Sequence, residues 1–389
     1  MKSIIYTKIG ENRGALRVWL QGQKLSRAGY EPGRRFNIEF TRGALRLVFS
    51  EDGTHTVSRR RKGESVTPII DVRAAELRSH FAADDRIKVV VESGRTIITL
   101  HHLQSAEIAR ERRLSTKIAA NRPLEVGCLA HGGGVMDLAF HSGLMAAGVS
   151  ARTAWANEVD PKYLDASLAN NPVWDQKSIA VEGDMRDVEW GELPPIDVLL
   201  AGLPCTGASI AGRVKNKLQS PEEHESAGAL FVPFLESIKA LNPAVIVLEN
   251  VTRYQTSVSM TVIRAVLDHL GYRVQERSYN GLDFGALEDR RRMLMVATSK
   301  GLDMPSLDRL VPPGRSAAPL GSILEDVPET SPLWRDYTYL AAKEERQALV
   351  GYRFKRQLVG PGTPYVGVIG RGYWKSRSTE PFVQHPTKP

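Results

Sequence analysis

The chain has 389 residues, 42% of them hydrophobic and 25% charged, which predicts two or three globular domains and excludes a wholly disordered or collagen-like protein. Two cysteines, Cys128 and Cys205, are too few for a disulfide framework, and no apolar run reaches the roughly 18 residues of a membrane span, so we expect a cytoplasmic protein. The net charge of +8 divides into +10 over residues 1–120, −6 over 121–310 and +4 over 311–389, which indicates either flanks that contact a polyanion or solvated charged faces.

Residues 1–104 predict short strands separated by turn residues, and therefore a β-rich module. Apolar and polar residues alternate over 16–20, 36–40 and 44–48. A weak repeat recurs after 51 positions, and it pairs Phe36 with Ile87, Ile38 with Val89, Phe40 with Val91 and Gly43 with Gly94. The pattern predicts two copies of one unit, each with a strand, a helical turn and a hairpin.

The first copy resembles a known family of small β-rich modules. Its Leu-x-x-x-Gly-Tyr-x-x-Gly core, from Leu25 to Gly33, is similar to the SymE or AbrB-like swapped-hairpin family. That resemblance implies DNA binding and a homodimer formed through residues 1–104. Between the copies, the basic run from Arg59 to Lys62 predicts either a phosphate-contacting loop or a solvated turn.

Residues 105–122 predict a charged helical linker, and from residue 123 apolar strands alternate with helices, as is typical of a parallel α/β sheet. The predicted strands are 123–128, 153–157, 198–201, 245–249, 273–279 and 292–297. The predicted helices are 135–147, 162–170, 229–241 and 259–270. The sequence therefore predicts a core domain at 123–310, followed by a segment at 311–389 that is rich in Pro and Gly and has little periodicity.

Residues at the ends of the predicted strands favour a site for a nucleoside cofactor. Gly132, Gly133 and Gly134 form a strand-to-helix turn, where glycine lets the backbone approach a ligand closely. Glu158 ends the second strand, where a carboxylate can accept hydrogen bonds from ribose hydroxyls. Asp184 follows a short third strand and can accept from an adenine amino group, although either carboxylate could instead cap a helix.

Two further strand ends carry reactive side chains. Pro204-Cys205 follows a buried strand, and the next predicted strand ends in Glu249. Neighbouring ends of this kind place a nucleophile beside an acid, although a buried inert cysteine is the alternative interpretation. Arg290 and Arg292 lie near the last strand, and their alternation directs both to one face.

Together these residues resemble the DNA (cytosine-5) methyltransferase family over about residues 123–300. Three family motifs occur in the expected order: Pro204-Cys205 for the catalytic Pro-Cys, Glu249-Asn250-Val251 for Glu-Asn-Val, and Glu288-x-Arg290-x-Arg292 for Gln-x-Arg-x-Arg, with glutamate in place of glutamine. The resemblance implies a Rossmann-like α/β core that depends on S-adenosylmethionine. It also implies DNA as the partner that is modified.

The resemblance also implies a role for each matching residue. Cys205 is the expected nucleophile at carbon 6 of a cytosine flipped out of the duplex, and Glu249 is the expected acid at N3. Arg292 holds the base or a nearby phosphate, and Arg290 supports the site. The expected cofactor contacts are Gly132, Gly133, Gly134, Glu158, Asp184, Met185 and Pro204. No metal site is expected.

The sequence departs from the family at three places. The loop Ala130-His131-Gly132-Gly133-Gly134 differs from the usual Phe-x-Gly-x-Gly, and Gly202 to Thr206 differs from Pro-Pro-Cys-Gln. Two C-terminal family motifs are not visible in 311–389, which predicts a shortened enzyme, an enzyme completed by a second chain, or an inactive relative.

Residues 311–389 are interpreted as a short target-recognition segment, because aromatic and basic side chains occur together there, as base stacking and phosphate contact require. These side chains are Tyr365, Arg371, Tyr373, Trp374, Lys375 and Arg377. A loop packed on the core is the alternative. Two other functions also stay open, an RNA cytosine-5 methyltransferase with the same residues and a catalytically silent DNA-binding relative.

Overall fold

The structure is a computed structural model that describes residues 2–41, 43–204, 229–316, 318–351, 354–370 and 373–387, apart from the side chain of Lys62. The predicted nucleophile Cys205 and the predicted recognition residue Arg371 lie outside the described residues. The chain divides into two compact units. The first contains Met1–Leu124, Leu267–Tyr272 and Ser299–Asp303, and the second contains Glu125–Val266, Arg273–Thr298 and Met304–Pro389.

The described part of the first unit is mainly two antiparallel sheets, with strand orders β1-β9-β10-β5-β4-β6 and β2-β3-β8-β7. The elements are β1 (Ser3–Lys8), β2 (Gly10–Asn12), β3 (Ala15–Gln21), α1 (Gln23–Ser26), β4 (Arg35–Thr41), β5 (Ala44–Phe49), β6 (His55–Thr56), β7 (Ser58–Lys62), β8 (Ser65–Val72), β9 (Arg86–Glu92), β10 (Arg95–Leu100) and α2 (His102–Ala119). The three strands predicted from alternation are confirmed as β3, β4 and β5. The predicted helical linker is confirmed as α2, which begins three residues earlier than expected.

The basic run from Arg59 to Lys62 was predicted as a loop or a turn, and that prediction is wrong. These residues form β7, an edge strand that pairs antiparallel with β8 and places Arg60 opposite Thr67. The strand forms because Gly63, at φ 59°, lets the backbone reverse directly into β8. Periodicity could not reveal this strand, since its side chains are all polar.

A buried arginine joins α2 to the later segments of the first unit. Arg110 is only 2% exposed, and its guanidinium donates hydrogen bonds to the carbonyl oxygens of Leu270 and Gly271 at 3.0 and 2.8 Å. It also donates to Ser299 Oγ at 2.8 Å and lies 3.8 Å from the ring centroid of Tyr272. These contacts replace the water that the cation gives up on burial.

The second unit is built on a seven-stranded sheet with the order β13-β12-β11-β14-β15-β17-β16. Its elements are β11 (Leu124–Leu129), α3 (Val135–Ala146), β12 (Ala151–Glu158), α4 (Pro161–Asn170), β13 (Ile179–Glu182), β14 (Val198–Ala201), α5 (Phe231–Leu241), β15 (Val245–Asn250), α6 (Val258–His269), β16 (Tyr272–Asn280) and β17 (Arg291–Ser299). The predicted alternation of strands and helices is confirmed, with small shifts at the ends.

The sheet is parallel at its centre and antiparallel at one side. Parallel pairings join β12 to β13, β11 to β14 and β14 to β15, as the alternating pattern predicted. β17 instead runs antiparallel to β15. It does so because the chain returns from β16 through a short connection, and parallel strands need a longer crossover.

The C-terminal segment has more regular structure than its sequence predicted. It contains α7 (Thr338–Leu349) and the parallel pair β18 (Gln357–Val359) and β19 (Pro381–Val383). Leu340 is the buried residue of α7. Because this helix buries so little of its surface, its apolar periodicity was too weak to predict it.

Among the residues that the structure describes, none of the helices combines the length and the apolar character that a membrane crossing requires.

We expect Arg110→Met to lower the free energy of unfolding, because a buried carbonyl that loses its donor costs about 1–3 kcal/mol. Arg112 lies on the same helix and is exposed, so Arg112→Met should change stability by less than about 0.5 kcal/mol. Chemical denaturation followed by circular dichroism compares the two variants. Equal stabilities would contradict a stabilising role for the buried guanidinium.

Candidate active site

The glycine loop and the site carboxylates lie at the carboxyl ends of parallel strands in the second unit, and Arg290 and Arg292 lie at the start of the antiparallel β17. The chain passes from β11 to β12 and β13 on one side, and then places β14 and β15 on the other side of β11. In open α/β sheets, ligands bind at the edge where the strand order reverses in this way. The ends of β11, β12, β14 and β15 therefore define the candidate site.

Glu158 ends β12 and is fixed beneath the glycine loop. Its Oε2 accepts a hydrogen bond from the Gly132 amide at 2.7 Å, and its Oε1 accepts from the amides of Val159 and Asp160, each at 3.0 Å. Glu158 is 6% exposed. These three donors offset the cost of burying the carboxylate and hold it at the end of the strand.

The glycine loop is open on one side and packed on the other. A Cβ atom built on Gly132 or Gly133 would meet no atom of the described residues within 4 Å, whereas one on Gly134 would collide with His131 and Asn171. Gly134 also has a φ of 76°, which favours glycine. The loop therefore has open space beside Gly132 and Gly133 in the described part of the chain, and Gly134 closes the loop onto its support.

His131 supports the glycine loop from within the protein. Its Nε2 lies 2.8 Å from Ser167 Oγ on α4, and its Nδ1 lies 3.8 Å from Asp137 Oδ2 on α3. Asp137 is fully buried, accepts a hydrogen bond from Thr153 Oγ1 at 3.0 Å and lies 3.2 Å from His141 Nε2. Burial lowers the pKa of His131, although the charge of Asp137 opposes this. Sequence reasoning missed this network, and its one signal was a histidine inside a glycine loop.

Asp184 follows β13 and is bound by a neighbouring arginine. Its Oδ1 accepts from the Arg186 amide and from Arg186 Nε, both at 2.9 Å, and its Oδ2 lies 2.5 Å from Arg186 Nη2. Hydrogen bonding to Arg186 lowers the pKa of Asp184. The carboxylate is therefore kept ionised, as an acceptor must be, and Met185 is buried beside it.

Asn250 fixes the backbone that leads to the predicted nucleophile. Its Nδ2 donates a hydrogen bond to the Leu203 carbonyl at 3.1 Å, and its Oδ1 accepts from the Val251 amide at 2.8 Å. Asn250 is 1% exposed. The end of β15 thus holds the backbone just before Pro204, and Cys205, the next residue, is outside the described residues.

Glu249 and Arg292 form an ion pair at neighbouring strand ends. Glu249 on β15 lies opposite Leu294 of β17, and its Oε1 is 2.9 Å from Arg292 Nε. Burial raises the pKa of Glu249, although Arg292 and Arg290 oppose this. The arrangement brings together the predicted acid and both predicted arginines.

Glu288 connects this arginine motif to the C-terminal segment of the same unit. Its Oε1 accepts a hydrogen bond from the Ile369 amide at 2.9 Å and lies 3.4 Å from Arg290 Nη1. The adjacent Asp289 amide donates to the Val366 carbonyl at 2.8 Å. The glutamate that replaces the family's glutamine therefore anchors part of the predicted recognition segment.

The sequence matches the protein-family model described as C-5 cytosine-specific DNA methylase over residues 132–350, which is more than half of the chain. The chain belongs to the C-5 cytosine-specific DNA methylase family. Membership confirms the predicted Rossmann-like methyltransferase fold and S-adenosylmethionine as the cofactor. The match continues past residue 310 into the segment that was predicted to be separate, and the predicted domain boundaries stay a prediction.

Individual methylases of the family show the same relationship. The chain is 31% identical over 184 residues to the type II methyltransferase M.Bsp6I of Bacillus sp. (strain RFL6), covering 46% of this chain and 53% of that protein. It is 27% identical over 246 residues to the type II methyltransferase M.NlaX of Neisseria lactamica, covering 61% and 72%. The chain thus spans about half the length of M.Bsp6I.

The fold of the Entamoeba histolytica methyltransferase EhMeth is also similar. The two structures give a TM-score of 0.50 at 15% sequence identity, covering 65% of this chain and 73% of that chain. At this identity the likeness concerns the fold alone.

We expect Glu249→Gln to gain stability relative to the wild type as pH rises. The pKa of Glu249 is raised in the folded protein, so the stability linked to its protonation is present below the ordinary glutamate pKa and is lost as pH rises through the folded pKa. Glutamine does not titrate and avoids this loss. Denaturation at about pH 3 and about pH 8, on either side of the glutamate range, measures the change.

Glu236→Gln is the matched control, since Glu236 is exposed on α5. It should show no such pH-dependent gain. A Glu249→Gln variant that instead loses relative stability on going to the higher pH would mean that the ion pair with Arg292 outweighs burial.

Proposed function

We propose that this chain transfers a methyl group from S-adenosylmethionine to carbon 5 of cytosine in DNA. One observation carries the proposal: the Glu249–Arg292 pair lies on β15 and β17, beside the backbone that Asn250 holds just before Cys205. An acid, a cation and a nucleophile at adjoining strand ends are what addition to a cytosine ring requires. Family membership and the names of the relatives support the same reaction.

When bound, S-adenosylmethionine supplies an electrophilic methyl group. Gly132 and Gly133 offer it an open backbone surface, since no described residue occupies the space beside their α carbons. Glu158 accepts three backbone hydrogen bonds, and an ionised carboxylate has about four acceptor positions, so capacity is left for a ribose hydroxyl. Asp184, kept ionised by Arg186, is the proposed acceptor for the adenine amino group.

Cys205 is the proposed nucleophile, and the other cysteine is unsuited to the role. Cys128 lies in β11, is 1% exposed, and has a pKa that burial raises well above its usual value. The reactive form of cysteine is the thiolate, which such burial suppresses. Addition of the Cys205 thiolate to carbon 6 of the base makes carbon 5 electron-rich, so that carbon 5 can take up a methyl group.

Glu249 is the proposed proton donor to N3 of the base. Burial raises its pKa and so favours the protonated carboxyl that donation requires. A proton at N3 prevents negative charge from accumulating on the ring when Cys205 adds. A solvent water molecule then takes the carbon-5 proton, the electron pair of that bond restores the 5,6 double bond as the bond to sulfur breaks and releases the Cys205 thiolate, and the N3 proton returns to Glu249.

DNA is the proposed substrate, and the target base must leave the duplex stack before a thiol can add to its ring. The net charge of +10 over residues 1–120 supports a polyanionic partner. The expected homodimer and the expected second chain that completes the C-terminal motifs stay separate predictions. The chemistry proposed above uses residues of this chain alone.

Cys205→Ser should abolish transfer of tritiated methyl groups to duplex DNA, because a serine hydroxyl is far less ionised at neutral pH than a thiol. Cys128→Ala is the control and should keep the activity, since Cys128 is buried in the core. RNA of the same sequence, assayed in parallel, should accept little label. Full turnover by the serine variant would reject Cys205, and label confined to RNA would reject the substrate.

Glu158→Gln should weaken S-adenosylmethionine binding by roughly 10- to 150-fold, because a hydrogen bond to a charged group contributes about 1.5–3 kcal/mol. Glu182 ends the adjacent strand opposite Glu158 and is exposed, which makes Glu182→Gln the matched control. Isothermal titration calorimetry measures both affinities. If the two variants bind the cofactor equally well, the ribose contact lies elsewhere.

A further inference from the structure

Residues 2–100 contain two halves with the same order of elements. The first half runs β1, β2, β3, α1, β4 and β5, and the second runs β6, β7, β8, a helical turn at Ala75–Ser79, β9 and β10. When the two halves are exchanged, the sheet order β1-β9-β10-β5-β4-β6 becomes its own reverse. The order β2-β3-β8-β7 behaves in the same way. Both sheets therefore have the internal symmetry of a two-fold pair.

Hydrogen bonds between the halves match as well. The Ile9 amide donates to the Asp85 carbonyl at 2.9 Å, and the equivalent Val57 amide donates to the Arg34 carbonyl at 2.9 Å. In each case the residue that precedes this carbonyl partner donates its own amide back to the carbonyl oxygen of Ile9 or Val57, at 3.0 and 2.9 Å respectively. Ile9 and Val57 are both buried. The correspondence thus extends from strand order to individual backbone contacts.

The two halves exchange their first strands. β1 pairs with β9 of the second half, and β6 pairs with β4 of the first. Equivalent residues also face each other, Trp19 opposite Asp71 and Arg46 opposite Ile97, as a two-fold relation requires. A single chain therefore supplies both partners of a strand-exchanged pair, and the fold of this part needs no second copy.

The two equivalent hairpins, β2–β3 and β7–β8, differ in length. The β2–β3 hairpin ends at the pair Asn12–Ala15. The equivalent pair in the other hairpin is Arg60–Thr67, and pairing continues for two more residue pairs. We name the longer hairpin, residues 58–72, the basic arm.

The hairpins also differ in charge. Arg59, Arg60 and Arg61 of the basic arm are exposed, and their side chains make no hydrogen bond or ion pair with any residue in the described ranges; only their backbones pair, with β8. Glu11 and Asn12 occupy the positions equivalent to Arg59 and Arg60. The turn of the β2–β3 hairpin carries one exposed arginine, Arg13, so a run of three exposed arginines occurs on only one of the two symmetric hairpins.

Other arginines of the same sheet are compensated locally. Arg17 Nε lies 2.7 Å from Asp71 Oδ1, and Arg73 Nη2 lies 2.8 Å from Asp71 Oδ2. Charged side chains on an edge strand often have a different function, which is to prevent two sheets from pairing edge to edge. That role does not explain three arginines on β7, because β2, the other edge of this sheet, carries the single charge of Glu11.

We propose that the basic arm binds the phosphate backbone of duplex DNA through Arg59, Arg60 and Arg61, and that this symmetric pair of halves presents one such arm rather than two. The major groove is about 12 Å wide and admits a two-stranded ribbon. Successive strand residues point to opposite faces, so Arg60 faces one wall of the groove and its two neighbours face the other. The arm contains none of the proposed catalytic residues. The proposal rests on the proposed function only in taking DNA as the partner.

The test is the salt dependence of duplex DNA binding by the full chain, measured by fluorescence anisotropy without S-adenosylmethionine. The variant is Arg59→Gln/Arg60→Gln/Arg61→Gln. Losing three phosphate contacts should reduce the slope of log affinity against log salt by about 2.7, since each contact contributes about 0.9. The matched control, Lys8→Gln/Lys24→Gln/Arg27→Gln, removes the same charge from exposed residues outside the arm and should change the slope by less than about 0.9.

Three outcomes would overturn the proposal. One is equal slopes for the arm variant and the wild type. A second is a loss of slope on an RNA duplex but not on DNA, which would make RNA the partner. A third is self-association of the arm variant in sedimentation with an unchanged DNA slope, which would mean that the arginines only guard an edge strand. Binding is measured without methyl transfer, so failure of the proposed reaction leaves this test intact.

Discussion

The candidate site depends on how three carboxylates at strand ends are compensated, because a charge beside a buried sheet is costly without donors or a cation. Glu158 accepts from three backbone amides, Asp184 is bound by Arg186, and Glu249 pairs with Arg292. These partners fix different chemical roles. The first two carboxylates suit hydrogen-bond acceptors, and the third, whose pKa burial raises, suits a proton donor.

The support beneath the site follows from the same constraint. The glycine loop can bend over Glu158 because His131 and Asn171 fill the space beside Gly134. Asn250 likewise supports a loop from the end of β15, where its side-chain amide donates a hydrogen bond to the Leu203 carbonyl. In both places a buried polar side chain replaces water as the partner of a loop, which keeps the reactive edge rigid.

The central strands, and the positions of Glu158 and Glu249 at strand ends, could be predicted from the sequence. Buried parallel strands are nearly continuous apolar runs, and the residue that ends such a run lies at the ligand-binding edge. Glu158 and Glu249 were predicted in this way and lie at such strand ends, whereas Cys205, predicted by the same reasoning, lies outside the described residues. The His131–Ser167 contact and the Arg110 contacts could not be predicted, since they join residues far apart in sequence and have no periodicity. The weak repeat predicted two similar hairpins, but an alternating pattern does not specify a strand's partner, so the exchange of β1 and β6 emerged only from the pairings.

The central claim is that Cys205 forms a covalent bond to carbon 6 of a cytosine in DNA. The most direct measurement incubates the protein and S-adenosylmethionine with a duplex that carries 5-fluorocytosine at its target positions, and then identifies the crosslinked peptide by mass spectrometry. Fluorine at carbon 5 cannot leave as a proton does, so the adduct should persist, and the peptide that contains Cys205 should carry the base. An adduct on another residue, or methylation of ordinary duplex DNA without any adduct on the fluorinated one, would contradict the account.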